Sequence, residues 1–210
     1  MKSNVVEVET VVVGMLEGNC YLVKCGPGGE GVIIDPGDEG DRIVAVVKAM
    51  GLEPEAILLT HGHIDHVNAA GALRRRLRSR VVCHPGDRAM VEEGEVLSLW
   101  GLQREPCKVD QEVLDGDIVP VGGSKFRVIH TPGHTRGSVC YMLDSLLFSG
   151  DVLFKGSIGR TDLPGGSDRD MAETLRSRIA VLDPGVRVYP GHGPETTIEY
   201  EMTHNPFLHL

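Results

Sequence analysis

The chain is 210 residues long, enough for a full hydrophobic core, and residues 1–210 are expected to form a single domain. Its 21 basic and 30 acidic residues leave a net charge of −9, which argues against a nucleic-acid partner, because such binders carry a basic face. No apolar stretch reaches the roughly 20 residues of a membrane-spanning helix, and the charged start Met1-Lys2-Ser3-Asn4-Val5-Val6-Glu7 lacks a signal-peptide core, so neither membrane insertion nor secretion is expected.

Residues 5–13 and 19–24 read as strands, and after the turn Gly26-Pro27-Gly28-Gly29 a third strand covers 31–34, ending at Asp35-Pro36-Gly37. Residues 41–50 have helical spacing, with Ile43, Val44, Val46 and Val47 apolar and Gly51 as the stop. A strand at 56–59 leads into a histidine-rich loop, followed by a helix to about Leu77 and a strand at 80–83. Residues 86–115 predict a short helix near 89–91 and an irregular linker containing Trp100. Strands follow at 125–129, 138–143 and 145–148, with Gly122-Gly123 and Asp144 in turns. A long loop covers 154–168, a helix 171–182, a strand 186–189, and a last helix starts at 197–202. Two β-rich halves with flanking helices predict two packed sheets covered by helices. The five cysteines (Cys20, Cys25, Cys83, Cys107, Cys140) are dispersed and form no Cys-x-x-Cys pair. That argues against a zinc ribbon or a redox motif and suits reduced thiols in a cytoplasmic protein.

The run Thr60-His61-Gly62-His63-Ile64-Asp65-His66 packs three imidazoles and a carboxylate directly behind a strand. These are the ligand types that zinc and iron take. Three further fragments place the same chemistry in glycine-containing turns after β-rich runs: His134 in Thr-Pro-Gly-His-Thr, Asp151 in Phe-Ser-Gly-Asp, and His192 in Tyr-Pro-Gly-His-Gly. One tetrahedral ion needs three or four ligands, so seven groups are enough for two ions. The remaining histidines, His84, His130, His204 and His209, are expected to pack rather than coordinate. Asp35 is open between two readings: an outer partner that orients a metal-bound imidazole, or a turn cap. Arg74-Arg75-Arg76-Leu77-Arg78 reads as a solvated helix face, with attraction of an anionic substrate as the alternative.

The ordered set HxHxDH, then H, D and H, resembles the metallo-β-lactamase superfamily over residues 19–207. The resemblance implies a four-layer αβ/βα sandwich, an α/β fold with two mixed β-sheets flanked by helices and the metal site on loops at one edge. It implies that His61, His63 and His134 hold one divalent ion, that Asp65, His66 and His192 hold a second, and that Asp151 bridges them. Zinc is the first expectation, with iron or manganese as alternatives. The secreted β-lactamases of the best-known subclass carry cysteine where this chain has Asp151, which argues against antibiotic hydrolysis.

The loop running from Leu153 through Gly159-Arg160-Thr161-Asp162 to Gly166 resembles the glyoxalase II-like group, the hydroxyacylglutathione hydrolases, and particularly its short single-domain members. Arg160 falls at their basic contact to glutathione, and Asp162 falls where a tyrosine is usual. No helical glutathione-binding domain is expected after His192. The implied activity is hydrolysis of a small thioester, possibly a glutathione conjugate, by a monomer or small homo-oligomer. The resemblance implies that the two ions would supply a hydroxide for attack on the acyl carbonyl and that Asp65 would orient it. The same stretch resembles the persulfide dioxygenases of the superfamily, in which His61, His134 and Asp151 would hold a single iron. A metal protein without catalysis would not need seven ligands with open positions, and it stands as a remote third reading.

Overall fold

The computed structural model describes residues 6–94 and 107–209; the expected linker around Trp100 lies outside the described residues. The first sheet holds six strands in the order of the sequence: β1 (Glu7–Val13), β2 (Gly18–Lys24), β3 (Glu30–Ile34), β4 (Glu53–Leu58), β5 (Arg80–Cys83) and β6 (Gln111–Glu112). β1, β2 and β3 pair antiparallel, while β3 to β6 pair parallel. Parallel pairing requires crossovers, and helices α1 (Gly40–Met50), α2 (Ile64–Val67) and α3 (Ala70–Leu77) supply those from β3 to β4 and from β4 to β5. Each of these helices lies between two strands that are neighbours in the sheet.

The second sheet is also mixed. β7 (Ile118–Val121), β8 (Ser124–His130), β9 (Val139–Leu143) and β10 (Leu146–Gly150) form an antiparallel meander; β13 (Arg187–Pro190) then adds parallel to β10, and β14 (Thr196–Thr197) adds antiparallel to β13. β11 (Leu153–Phe154) and β12 (Ser157–Ile158) make a separate small hairpin. Helices α4 (Asp168–Thr174) and α5 (Ile198–His204) belong to this half.

Three apolar layers explain the strand sequences. β2 is buried along nearly its whole length because both of its faces are covered. Tyr21 and Val23 point to the layer between the sheets, with Val32, Ile34, Leu58, Phe126, Val128, Tyr141 and Phe148. Cys20 and Leu22 point the other way, to Ile43, Val44 and Val47 of α1 and Leu73 of α3. Behind the second sheet, Cys140 and Leu147 meet Met171, Leu175, Ile179 and Ile198. The molecule is therefore helix, sheet, sheet, helix. All five cysteines are buried. Among the described residues, no helix is long and apolar enough to cross a membrane.

The differences from the sequence expectations have local causes. The single helix expected after the histidine loop is two, α2 and α3, broken at residues 68–69. The helix expected at 171–182 starts earlier, at Asp168, because the Ser167 side chain accepts from the Asp170 N–H at 3.2 Å. Its second part, Leu175–Ile179, widens to a π turn. β7 was not among the expected strands; it pairs with β8 through Gly122-Gly123, whose φ angles of 56° and 83° suit a tight two-residue hairpin. Near 89–91 the chain forms a π turn, Met90–Gly94, after a 3₁₀ turn at Pro85–Asp87.

Candidate metal centre

The seven residues named from their spacing leave the C-terminal ends of four strands: β4 for His61 to His66, β8 for His134, β10 for Asp151 and β13 for His192. The β4 end belongs to the first sheet and the other three to the second, so they meet only if the sheets are held in register at this edge. Backbone groups do that. The Val139 N–H donates to Thr60 O at 2.8 Å, and the Asn19 N–H to Gly191 O at 2.7 Å. The Tyr141 hydroxyl donates to Leu59 O at 3.1 Å and the Tyr21 hydroxyl to Pro190 O at 2.6 Å.

The result is two groups of three. One nitrogen each of His61, His63 and His134 lie within 4.8 Å of one another, and so do ligand atoms of Asp65, His66 and His192. The Nδ1 of His63 is 2.8 Å from the Nε2 of His134, and the Nε2 atoms of His66 and His192 are 3.3 Å apart. Asp151 stands between the groups. Its Oδ2 is 3.5 Å from His134 Nε2, its Oδ1 is 3.3 Å from His66 Nε2, and its Oδ2 is 3.8 Å from His192 Nε2. Asp65 Oδ2 lies 3.3 Å from His192 Nε2. Asp65 and His66 open α2, so they reach the cluster from a different backbone direction than His61 and His63.

The donor set fits divalent cations. Buried polar atoms are normally satisfied, yet His61 Nε2, His63 Nε2 and Asp151 Oδ1 are buried without a hydrogen-bond partner; the 3.3 Å approach of Asp151 Oδ1 to His66 is a contact without hydrogen-bond geometry. Space is kept for the carboxylate by a glycine: a Cβ on Gly191 would stand 2.2 Å from Asp151 Oδ1 and 2.8 Å from His66 Cε1. Gly37 makes room in the same way, since a Cβ there would stand 1.6 Å from Asp65 O.

Outer partners set the ring orientations. His66 Nδ1 faces Asp35 Oδ2 at 3.0 Å, and His134 Nδ1 faces Arg160 O at 2.6 Å, so each ring turns its Nε2 to the cluster. Asp35 thus takes the orienting role, and it also accepts from the Thr60 N–H at 2.8 Å and the Thr60 hydroxyl at 2.5 Å.

The electrostatics divide the cluster. Burial and the neighbouring imidazoles hold the pKa of His61 well down, and burial brings that of His63 to about 4, so both are neutral ligands near neutral pH. Burial also opposes a proton on His66 and His192, but Asp151, Asp35 and Asp65 around the first, and Asp65 and Asp151 beside the second, push both pKa values up. Burial opposes charge on Asp65 and Asp151 too, yet the adjacent imidazoles keep both carboxyls below the usual range. The side of the cluster around His66 and His192 is where the protein stabilises positive charge.

The other expected features fall elsewhere. The Arg160 guanidinium is 62% exposed and donates to both oxygens of Asp162, at 2.7 and 2.8 Å. It is Arg160's backbone carbonyl that touches the cluster. His84 and His130 stack, with centroids 4.2 Å apart and planes 9° from parallel. His204 stacks on Tyr200, and His209 bonds to Thr203 O. Arg74 pairs with Asp110, and Arg76 with Asp41. One residue the spacing did not reveal is Asp87, buried beside the histidine loop; its partners are 25 to 50 residues away in sequence, which leaves no local signal.

A family model described as the metallo-beta-lactamase superfamily matches residues 13–192. An uncharacterized protein of Mycobacterium tuberculosis is 39% identical, over 93% of this chain and 94% of its own. Hydroxyacylglutathione hydrolase GloC of Haemophilus influenzae is 32% identical, over 96% of this chain and 97% of its own. Among solved structures, the BLEG-1 B3 metallo-beta-lactamase has a TM-score of 0.88 at 37% identity, covering 96% of this chain and 99% of that one. TTHA1623 in a di-iron-bound form has 0.86 at 41% identity, with coverage of 96% and 100%. ETHE1 from Myxococcus xanthus has 0.81 at 30% identity, with coverage of 95% and 83%.

Proposed function

This chain belongs to the metallo-beta-lactamase superfamily, and from that premise we propose that it is a metal-dependent hydrolase of small thioesters acting at a binuclear centre. The observation that carries the reading is the pair of three-ligand groups with Asp151 between them. The reaction class is supported by likeness over nearly the full length to a hydroxyacylglutathione hydrolase; the fold alone would not license it.

His61, His63 and His134 would hold one ion, Asp65, His66 and His192 the other, and Asp151 both. Zinc is the first candidate, and the di-iron form of TTHA1623 makes iron the second. Bound there, divalent ions supply a hydroxide near neutral pH and an electrophile for the carbonyl oxygen. The chain's own residues do the rest. Asp65 and His192 are 21% and 27% exposed, far more than His66 at 1%, so substrate approaches from their side. The free edge of the Asp65 carboxylate can accept a proton from the attacking water and hold its lone pair toward the acyl carbon. Phe154 stands edge-on to His192, with ring centroids 6.0 Å apart, and would give the bound substrate an apolar neighbour. A thiolate departs without a strong general acid.

A second reading, oxygen-dependent oxidation of a persulfide, rests on the resemblance of Gly159-Arg160-Thr161-Asp162 to the persulfide dioxygenases of the superfamily. The test supplies zinc-loaded and iron-loaded protein with S-D-lactoylglutathione, with a neutral acyl thioester, with glutathione persulfide under oxygen, and with a cephalosporin. The hydrolase releases free thiol from a thioester and consumes no oxygen. Oxygen uptake with the persulfide and no thiol release from either thioester refutes it, as does turnover of the cephalosporin alone.

A further inference from the structure

Asp87 lies in the turn His84-Pro85-Gly86-Asp87 that ends β5, and it is 1% exposed. Its carboxylate touches neither three-ligand group. Instead Oδ2 accepts from the Gly62 N–H at 2.9 Å and from the Thr135 hydroxyl at 2.6 Å, while Oδ1 accepts from the Gly137 N–H at 2.8 Å. Gly62 separates His61 from His63, and Thr135 follows His134. One buried carboxylate therefore joins the two loops that carry the His61–His63–His134 group, and those loops come from different sheets.

The joint is close-packed by glycines. A Cβ on Gly137 would stand 2.5 Å from Asp87 N, one on Gly86 would stand 2.9 Å from Gly137 Cα, and one on Gly62 would stand 2.7 Å from Met90 Cβ. Thr135 is itself fixed, its hydroxyl 2.7 Å from Ser138 Oγ and its N–H bonded to the same oxygen at 3.0 Å. The second group has no such tie to Asp87: its outer partner is Asp35, through His66.

The geometry points to Asp87 as a positioning residue that fixes the spacing of the His61–His63–His134 group and leaves the Asp65–His66–His192 group to Asp35. This inference rests on the metal-holding reading of the cluster. The carboxylate is suited to the role because it accepts three hydrogen bonds at once, two of them from backbone groups. Asparagine at this position keeps the shape but turns an N–H₂ toward one of the donors.

The experiment measures cobalt(II) binding by the full chain, by visible absorption and by competition with a chelator. Asp87→Asn is placed in two backgrounds: His192→Ala, which leaves the three-histidine group, and His63→Ala, which leaves the other. In the first, Asp87→Asn should weaken cobalt binding by about 10- to 100-fold and shift the visible bands, as loss of an outer partner does. In the second, affinity should stay within about twofold of its parent. Ser79→Ala, which removes a buried hydrogen bond to Pro54 O away from the cluster, is the control for lost stability and should change neither. Equal losses in both backgrounds, or no loss in the first, overturn the inference. Should Asp87→Asn not fold, Thr135→Val removes one of the three donors and should give a smaller loss confined to the first background; unchanged binding there overturns the inference. Wild-type protein that takes up no cobalt overturns the metal reading and this inference with it. Cobalt uptake without thioester hydrolysis overturns the proposed reaction alone.

Discussion

Replacing Asp35 by asparagine isolates one contact at the cluster. The native carboxylate is 3% exposed and holds three donors: the Thr60 N–H, the Thr60 hydroxyl and, at 3.0 Å, His66 Nδ1. Asparagine has the same shape and tolerates the left-handed φ of 49° at this position. Its oxygen can keep the Thr60 N–H, and the Thr60 hydroxyl can rotate to accept from the new amide. The His66 ring cannot adapt in that way when it is protonated or holds a metal through Nε2, because its Nδ1–H would then face N–H₂. The loss is one hydrogen bond to a charged group, about 1.5–3 kcal/mol. For a chain of this size that lowers the melting temperature of the metal-free protein by about 3–12 °C. With its ring no longer held, the Asp65–His66–His192 group should bind zinc about 10- to 100-fold more weakly. Calorimetric unfolding of chelator-treated protein and zinc titration against a competing chelator measure the two effects. A variant that melts normally and binds both ions with native affinity would falsify the claim that Asp35 orients His66.

Asp151→Ala removes the carboxylate between the two groups; metal content after loading and desalting should fall from two ions to one and thioester turnover by at least about 100-fold, and full activity would sink the bridging assignment. Gly191→Ala puts a Cβ 2.2 Å from Asp151 Oδ1, so it should cost about 1–3 kcal/mol by overpacking and lower metal content together with melting temperature; a well-loaded variant of native stability would show that the crowding is relieved elsewhere. Asp162→Ala frees the Arg160 guanidinium from an exposed, solvent-screened pair, so KM for an anionic thioester should drop by about 5-fold at most while KM for a neutral one stays put. Arg160→Ala should raise KM for the anionic thioester more than it lowers kcat; equal KM values for both variants and wild type would place the substrate's anionic end elsewhere.

Much of this protein is legible in its sequence because the signals are local. Alternation and apolar runs mark β2, β3, β4, β8, β9 and β10, since a strand covered on both faces must be apolar throughout. Histidine and aspartate in short glycine-bearing turns mark the seven side chains of the cluster, because each turn follows directly on the strand that supports it. Other features depend on residues far apart in the chain, and only the tertiary structure decides them. Asp35 and Asp87 are both aspartates in Pro-Gly turns, indistinguishable by composition. Packing the two sheets at one edge sets Asp35 against His66, 31 residues away, and Asp87 against Gly62 and Gly137, 25 and 50 residues away. Arg160 reads as a side chain that binds substrate, yet its guanidinium is held by Asp162, and the atom that reaches His134 is its backbone oxygen. A side chain's type is written in the sequence, but its partner depends on where the rest of the chain places the nearest complementary charge or hydrogen-bonding group.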